Sequence, residues 1–229
     1  MAYENFRVPE GYSFEYLSEC ASTNDRAFEL GAGAIVCAGR QTAARGRLGR
    51  SFSAEEGGLY VSLCVKPACE MKDAPALAAL AAVAAADAIG TKSEIKWPND
   101  ILLGDKKVCG ILSESRNGLL VFGFGINLKN PLPEELTRAG RVDAEAEALL
   151  QKLIDRMTDI VARYPSNREE LLQQYALRCC TLGRMVDVTY RGMPLYGFAC
   201  GIDKHGGLMV MTQESRTVVM IYSGEATFA

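Results

Sequence analysis

Arg40, Arg45, Arg47 and Arg50 fall in one short stretch, RQTAARGRLGR, that contains no acidic residue. Such a stretch cannot neutralise itself, so each guanidinium fork is free to grip a carboxylate or phosphate through two parallel hydrogen bonds. Gly46 and Gly49 give the backbone room to approach a ligand and to close over it. Further along stands the chain's only tryptophan, in Lys96-Trp97-Pro98-Asn99-Asp100. Read as a strand end, alternation puts Ile95 and Trp97 on one face and Lys96 on the other, so the indole packs while the ammonium points into a site. Pro98 ends the ladder, and Asn99 and Asp100 follow in a turn where they cap local amides or meet a ligand. An anion clamp beside a shaped pocket is the chemistry these two segments could do.

A basic loop also serves as a solvated patch or a nucleic-acid contact. Composition weighs against DNA: 25 Lys+Arg against 28 Asp+Glu give a net charge of −3, whereas duplex-binding domains are usually basic. A small, highly charged ligand fits better. In Gly123-Phe124-Gly125-Ile126-Asn127 the alternate glycines lie on one strand face and leave a shelf for a flat ligand, with the Asn127 amide on the same face; taken alone, the pattern also fits close packing or a bulge. Ser22 and Thr23 either cap a helix or set hydroxyls beside its free N–H donors, a place for a ureido or carboxylate oxygen.

These groups need a scaffold, and 229 residues, 48% hydrophobic and 23% charged, suffice for one substantial domain and a small appendage. The N-terminal residues are polar, without a signal-peptide core, and the longest apolar run, residues 74–89, is alanine-rich and broken by Asp87, so no membrane span and a cytoplasmic location are expected. Cys20, Cys37, Cys64, Cys69, Cys109, Cys179, Cys180 and Cys200 form no Cys-x-x-Cys pair, and His205 is the sole histidine; free thiols rather than a zinc site are expected.

Strand-like and helix-like stretches alternate until short strands take over near the end, which predicts an α+β domain over 1–181 and a small β domain over 182–229. Strands are predicted at 14–17, 34–38, 59–65, 93–97, 107–113 and 119–126. A helix starts at the Ser-x-x-Asp capping box of Ser22 and stops at Gly31. A long amphipathic helix is predicted over 143–164 and a second over 167–180. Strands at 185–190, 195–202, 207–211 and 217–223 then suggest a small barrel.

Ser22-Thr23-Asn24, Gln41 with Arg45-Gly46-Arg47-Leu48-Gly49-Arg50, Lys96-Trp97-Pro98-Asn99-Asp100-Ile101, Gly110-Ile111-Leu112 and Gly123-Phe124-Gly125-Ile126-Asn127 stand in the order and spacing of the biotin protein ligases, which the chain resembles over nearly its whole length. Gly201-Ile202-Asp203 and Gly224-Glu225 resemble that family's C-terminal domain. The resemblance implies a mixed β-sheet with flanking helices, of the class II aminoacyl-tRNA synthetase-like or biotinyl-lipoyl ligase type, followed by an SH3-like β-barrel. It implies a two-step reaction in which biotin and ATP form biotinyl-5'-AMP with magnesium as cofactor, and a lysine of a biotin carboxyl carrier protein domain then takes the biotin. It further implies a ligase-only form, with no DNA-binding domain before Ser22, that acts as a monomer or homodimer.

Carried onto this sequence, the resemblance assigns Arg47, Lys96 and Asp100 as catalytic. Arg45, Arg47, Lys96 and Asn127 would face ATP and the adenylate, with Asn127 also toward magnesium. Ser22, Thr23, Asn24, Gln41, Arg45, Gly46, Arg47 and Lys96 would hold biotin, and Gly123 and Gly125 would leave room for its rings. Asp100 has two readings, deprotonation of the acceptor lysine or capping of the turn after Pro98. Ala44 and Leu48 replace the family's usual glycine and arginine, and no second tryptophan exists to stack on adenine. A lipoate or octanoate ligase is the rival enzyme reading, and a noncatalytic biotin-binding module the rival of another class.

Overall fold

The computed structural model describes residues 3–70, 73–190, 192–224 and 226–228; Glu225, and the side chain of Leu48, lie outside the described residues. A seven-stranded sheet is built from β1 (Ser13–Cys20), β2 (Ala34–Gln41), β3 (Leu59–Val65), β4 (Ser93–Lys96), β5 (Asp100–Leu103), β6 (Lys106–Arg116) and β7 (Leu119–Ile126) in the order β1-β2-β3-β7-β6-β5-β4. β1 and β2 pair in parallel across the helix α1 (Thr23–Leu30), and the other neighbours pair antiparallel. The expected α+β class with a mixed sheet is what forms.

α1 starts as its sequence dictates, with the Ser22 side chain accepting from the Asp25 N–H at 3.4 Å, and it ends at Gly31, whose φ of 88° a side chain would resist. Two further helices, α2 (Ala74–Ile89) and α3 (Ala146–Arg178), cover the opposite face of the sheet. The alanines of α2 are almost all buried, so the small side chains let this helix lie close to its neighbours. The two helices predicted after residue 143 form as the two arms of α3, which meet at Asn167 where the backbone leaves helical values (φ −124°, ψ 25°), just past Pro165.

The C-terminal sheet holds β8 (Met185–Tyr190), β9 (Met193–Ile202), β10 (Leu208–Thr212), β11 (Val218–Ile221) and β12 (Ala226–Phe228), all antiparallel, in the order β11-β10-β9-β8-β12. Sequence patterning does not show β12, which is too short for a period, or β5, of which it assigns only Asp100, to the turn after Pro98. Trp97 fastens the two sheets together. Its backbone N–H donates to Thr181 Oγ1 at 2.9 Å and its indole Nε1 to the Gly206 carbonyl at 3.3 Å, while the ring is buried. Apolar residues of both sheets and of α2 and α3 belong to one continuous core.

Cross-strand register places the site. Tyr60, Gly125, Gly110, Asp100 and Lys96 are successive partners across β3, β7, β6, β5 and β4, and Ser62, Gly123 and Leu112 form a second row. Partners share a face, so these rows lie on the side away from α2 and α3. α1 and the arginine loop cover that side.

Candidate active site

At one end of the glycine rows, small polar side chains form a buried network. Gln41 Oε1 accepts from the Thr23 N–H at 2.8 Å and from the Thr23 hydroxyl at 3.0 Å. The fully buried Ser62 hydroxyl sits 2.8 Å from Thr23 Oγ1 and 2.6 Å from Asn24 Oδ1. Asn24 Nδ2 donates to Glu114 Oε2 at 2.7 Å and to the Leu112 carbonyl at 3.3 Å. A buried polar group that lacks a partner is costly, and these have theirs, so the end is rigid and presents hydroxyl and amide groups rather than charge.

The other end is cationic. Arg47 Nη1 donates to Asn99 Oδ1 at 3.2 Å and to the Gly224 carbonyl at 3.3 Å, which brings the C-terminal sheet's connection into the site. Asn99 is itself fixed by its Nδ2 hydrogen bond to the Ile111 carbonyl. Lys107 Nζ sits 2.6 Å from Asp100 Oδ1. These residues and Arg50 line one cleft of about 840 Å³, counting the part open to solvent, together with Ser22, Thr23, Asn24 and Gln41.

A β-bulge turns Lys107 toward this cleft. Ile101 pairs with Cys109 but Leu102 pairs with Lys107, so Val108 is an extra residue on β6, and both Val108 and Cys109 are buried. Strict alternation would have put Lys107 on the core side with Cys109; the inserted residue moves it to the side of Gly110 and Asp100. Its side chain runs over Gly110, where a Cβ would be in ordinary contact with Lys107 Cε at 3.4 Å.

The structure brings Ser22, Thr23, Asn24, Gln41, Arg45, Gly46, Arg47, Asp100, Gly123 and Gly125 to this cleft, as the sequence suggested. It does not bring Lys96 or Asn127. Lys96 lies on the correct sheet face but on the edge strand, and its ammonium turns to the Phe228 ring, 5.4 Å from the centroid, instead of into the cleft. Asn127 comes just after β7 ends, where alternation no longer holds; its amide donates to the Gly140 carbonyl at 3.1 Å and its oxygen accepts from Asn130 at 3.2 Å, which pins the following loop. The arginines are also not all free. Arg40 pairs with Glu19 and Glu55, and Arg45 forks onto Asp25 at 2.7 and 3.0 Å with Glu114 at 3.4 Å, so carboxylates from other elements supply the neutralisation that the loop lacks. Arg45 and then Arg116 hold the Asp25 carboxyl below the usual aspartate range.

Nor is the glycine shelf bare. A Cβ on Gly123 would come within 2.2 Å of Asn24 Oδ1, and one on Gly125 within 2.5 Å of Phe52 Cζ, so the chain's own amide and ring rest there. Lys107, Phe52, Ser62 and Gly224 are the site residues that sequence reasoning passed over. For Lys107 the usable signal was its closeness to Gly110 in the Gly110-Ile111-Leu112 motif.

Residues 17–129 match the Biotin/lipoate A/B protein ligase family. The Bifunctional ligase/repressor BirA of Bacillus subtilis is 33% identical, over 94% of this chain and 74% of that protein. This chain belongs to the biotin protein ligase family. The Biotin--[acetyl-CoA-carboxylase] ligase of Paracoccus denitrificans is 28% identical, over 89% of this chain and 96% of its own length. Among solved structures, the biotin protein ligase from Aquifex aeolicus in complex with biotin and ATP superimposes with a TM-score of 0.80 at 28% identity, covering 95% of this chain and 98% of that one.

For a biotin protein ligase that uses ATP, magnesium must be placed. Among the described residues no three His, Cys, Asp or Glu side chains converge to hold a metal. Asp100 is engaged by Lys107, Asp25 and Glu114 by arginines, and Asn127 by its own loop. The described residues thus offer no cage of three such ligands for a magnesium, and Asp100 is the carboxylate that lines the cleft. Among the described residues no helix is long and apolar enough to cross a membrane.

Proposed function

We propose that this cleft activates biotin with ATP and then hands the biotinyl group to a lysine of a carrier domain. The observation that carries this reading is the contrast within one cleft: a neutral, rigid hydroxyl and amide end (Ser22, Thr23, Asn24, Gln41) faces a cationic end (Arg47, Arg50, Lys107). Biotin has that polarity, with an uncharged ureido group at one end and a carboxylate at the other.

Carboxylate and triphosphate repel, so they meet in line only where fixed cations offset both. Lys107, rather than Lys96, takes the carboxylate-holding role, and Arg47, fixed by Asn99 and the Gly224 carbonyl, faces the phosphates. A carboxylate oxygen forms the new bond to the α-phosphorus, and the bond to the bridging oxygen breaks with its electron pair leaving on pyrophosphate. In the second step a neutral lysine amine attacks the acyl carbon, AMP leaves with the acyl–oxygen bond pair, and the amine loses a proton. At pH 7 a lysine with the reference pKa of about 10.4 is neutral in roughly one molecule in 2,500, so a pre-held acceptor is needed.

Asp100 positions Lys107 through their 2.6 Å contact. The carrier is a biotin carboxyl carrier domain of a carboxylase, in keeping with the acetyl-CoA-carboxylase ligase named for the Paracoccus relative. Residues 1–181 carry the chemistry, and 182–229 close one side of the cleft through Gly224. Pyrophosphate release with magnesium, ATP and either biotin or lipoate tests the assignment. Release with biotin and labelling of a carrier lysine are expected; activation of lipoate in preference to biotin, or binding without pyrophosphate, would overturn it.

A further inference from the structure

Beyond its backbone bonds from Thr42 and Ala43 to Cys20 and Ala21, the arginine loop, residues 42–53, is held by side chains at several points, three of which matter here. Phe52 rests on Gly125 at the floor, Arg47 reaches Asn99 and Gly224 on one side, and on the other side Arg45 reaches back to α1 and β6. The third attachment differs in kind. Arg45 lines the cleft, whereas Asp25 does not, and the carboxylate draws the guanidinium from behind. Arg116 bonds the same two acids, at 2.9 Å to Asp25 and 3.5 Å to Glu114, so the two acidic groups stand fixed between two arginines. Glu114 Oε2 also accepts from Asn24, which ties this anchor to the rigid end of the cleft.

We propose that Asp25 and Glu114 are positioning residues that form an electrostatic catch for Arg45, holding the arginine loop over the cleft and, once an acyl-adenylate has formed, slowing its escape. The second half rests on the function proposed above; the first does not. Arg45 serves this catch as a tether to Asp25 and Glu114, a role separate from any contact with phosphate. The charges are about a third exposed (38% for Arg45, 36% for Asp25), so the catch is weak enough to open on each turnover and sensitive to salt.

Trypsin cleavage after Arg45, Arg47 and Arg50, located by mass spectrometry in the full ligand-free chain, reads the open population directly. Asp25→Asn and Glu114→Gln keep the shape and, for Glu114, an oxygen for Asn24. Glu29→Gln, at a pair of α1 with Arg26, is the control. The double variant D25N/E114Q should be nicked about fivefold faster than wild type at low salt within residues 42–53 with cleavage elsewhere unchanged; raising the salt should speed the wild type toward the variant and leave the variant unaltered. Asp25→Glu should recover part of the protection. With biotin, ATP and no carrier, adenylate released into solution per pyrophosphate formed should rise in the same order.

Equal nicking rates and equal salt responses in wild type and double variant would overturn the catch. If the rates differ as expected but no chain, wild type included, forms adenylate, the functional reading fails while the catch stands. If adenylate forms normally and escapes equally from wild type and double variant, the retention half is refuted.

Discussion

Replacing Lys107 by methionine keeps most of its volume and removes its charge. The ammonium supplies one charge-assisted contact to an incoming carboxylate, worth about 1.5–3 kcal/mol when well shielded. Its side chain is 42% exposed, so the lower part of that range, about 1.5–2 kcal/mol, applies, or roughly a tenfold to thirtyfold fall in kcat/KM for biotin. The loss has a second source, because Asp100 is left as an uncompensated anion facing two anionic substrates. The double variant D100N/K107M should therefore recover about threefold relative to K107M. Lys96→Met serves as comparison: it removes a cation–ring contact with Phe228, which costs about 0.5–1 kcal/mol of stability and changes kcat/KM by less than about threefold. Biotin-dependent pyrophosphate release under single turnover, with thermal melts on each variant, provides the readout. A K107M enzyme within about twofold of wild type, beside a K96M enzyme losing tenfold, would refute the placement of the carboxylate at Lys107.

Gly123→Ala should destabilise the protein by about 1–3 kcal/mol in urea unfolding, since Asn24 is buried and hydrogen-bonded on several sides and cannot retreat. Gly125→Ala meets only the tip of the Phe52 ring; it should leave stability nearly intact and raise KM for biotin about fivefold by unseating the loop. Asp100→Asn should slow adenylate formation about tenfold and leave transfer from preformed adenylate within about twofold, as expected of a group that positions Lys107; the opposite pattern would make Asp100 the base of the second step. Because Arg45 and Arg116 lower the Asp25 pKa in the folded protein, their hold is fully present above the ordinary aspartate value, about 3.9, and is lost as pH falls through the lowered one. Hydrogen exchange over residues 42–53, corrected for intrinsic chemical rates, should thus stay flat from pH 7 to about pH 5 and rise only in stronger acid.

Much of the site could be read from the chain because strand alternation and helix caps are local. The Ser22 cap, the Gly31 stop and the Gly123, Gly125 face all follow from neighbours a few residues away. Lys96 is set by tertiary placement. Alternation chose its face correctly, yet face alone does not say which strand of the sheet a residue occupies, and an edge strand offers Phe228 before it offers the cleft. Asn127 fails because the period was extended one residue past Ile126, where β7 stops.

Lys107 was hidden for a stronger reason, since a single inserted residue inverts the parity on which the whole reading depends. The partners of Arg45 were hidden by distance, Asp25 lying 20 residues and Glu114 69 residues away in sequence, so a loop without internal acids looked unpaired when tertiary structure had already supplied them. That difference bears on mechanism. A cluster of unpaired arginines would bind any anion and release it poorly, whereas one arginine held by carboxylates and another held by an amide and a carbonyl leave the cleft selective for a ligand whose two ends match it at once.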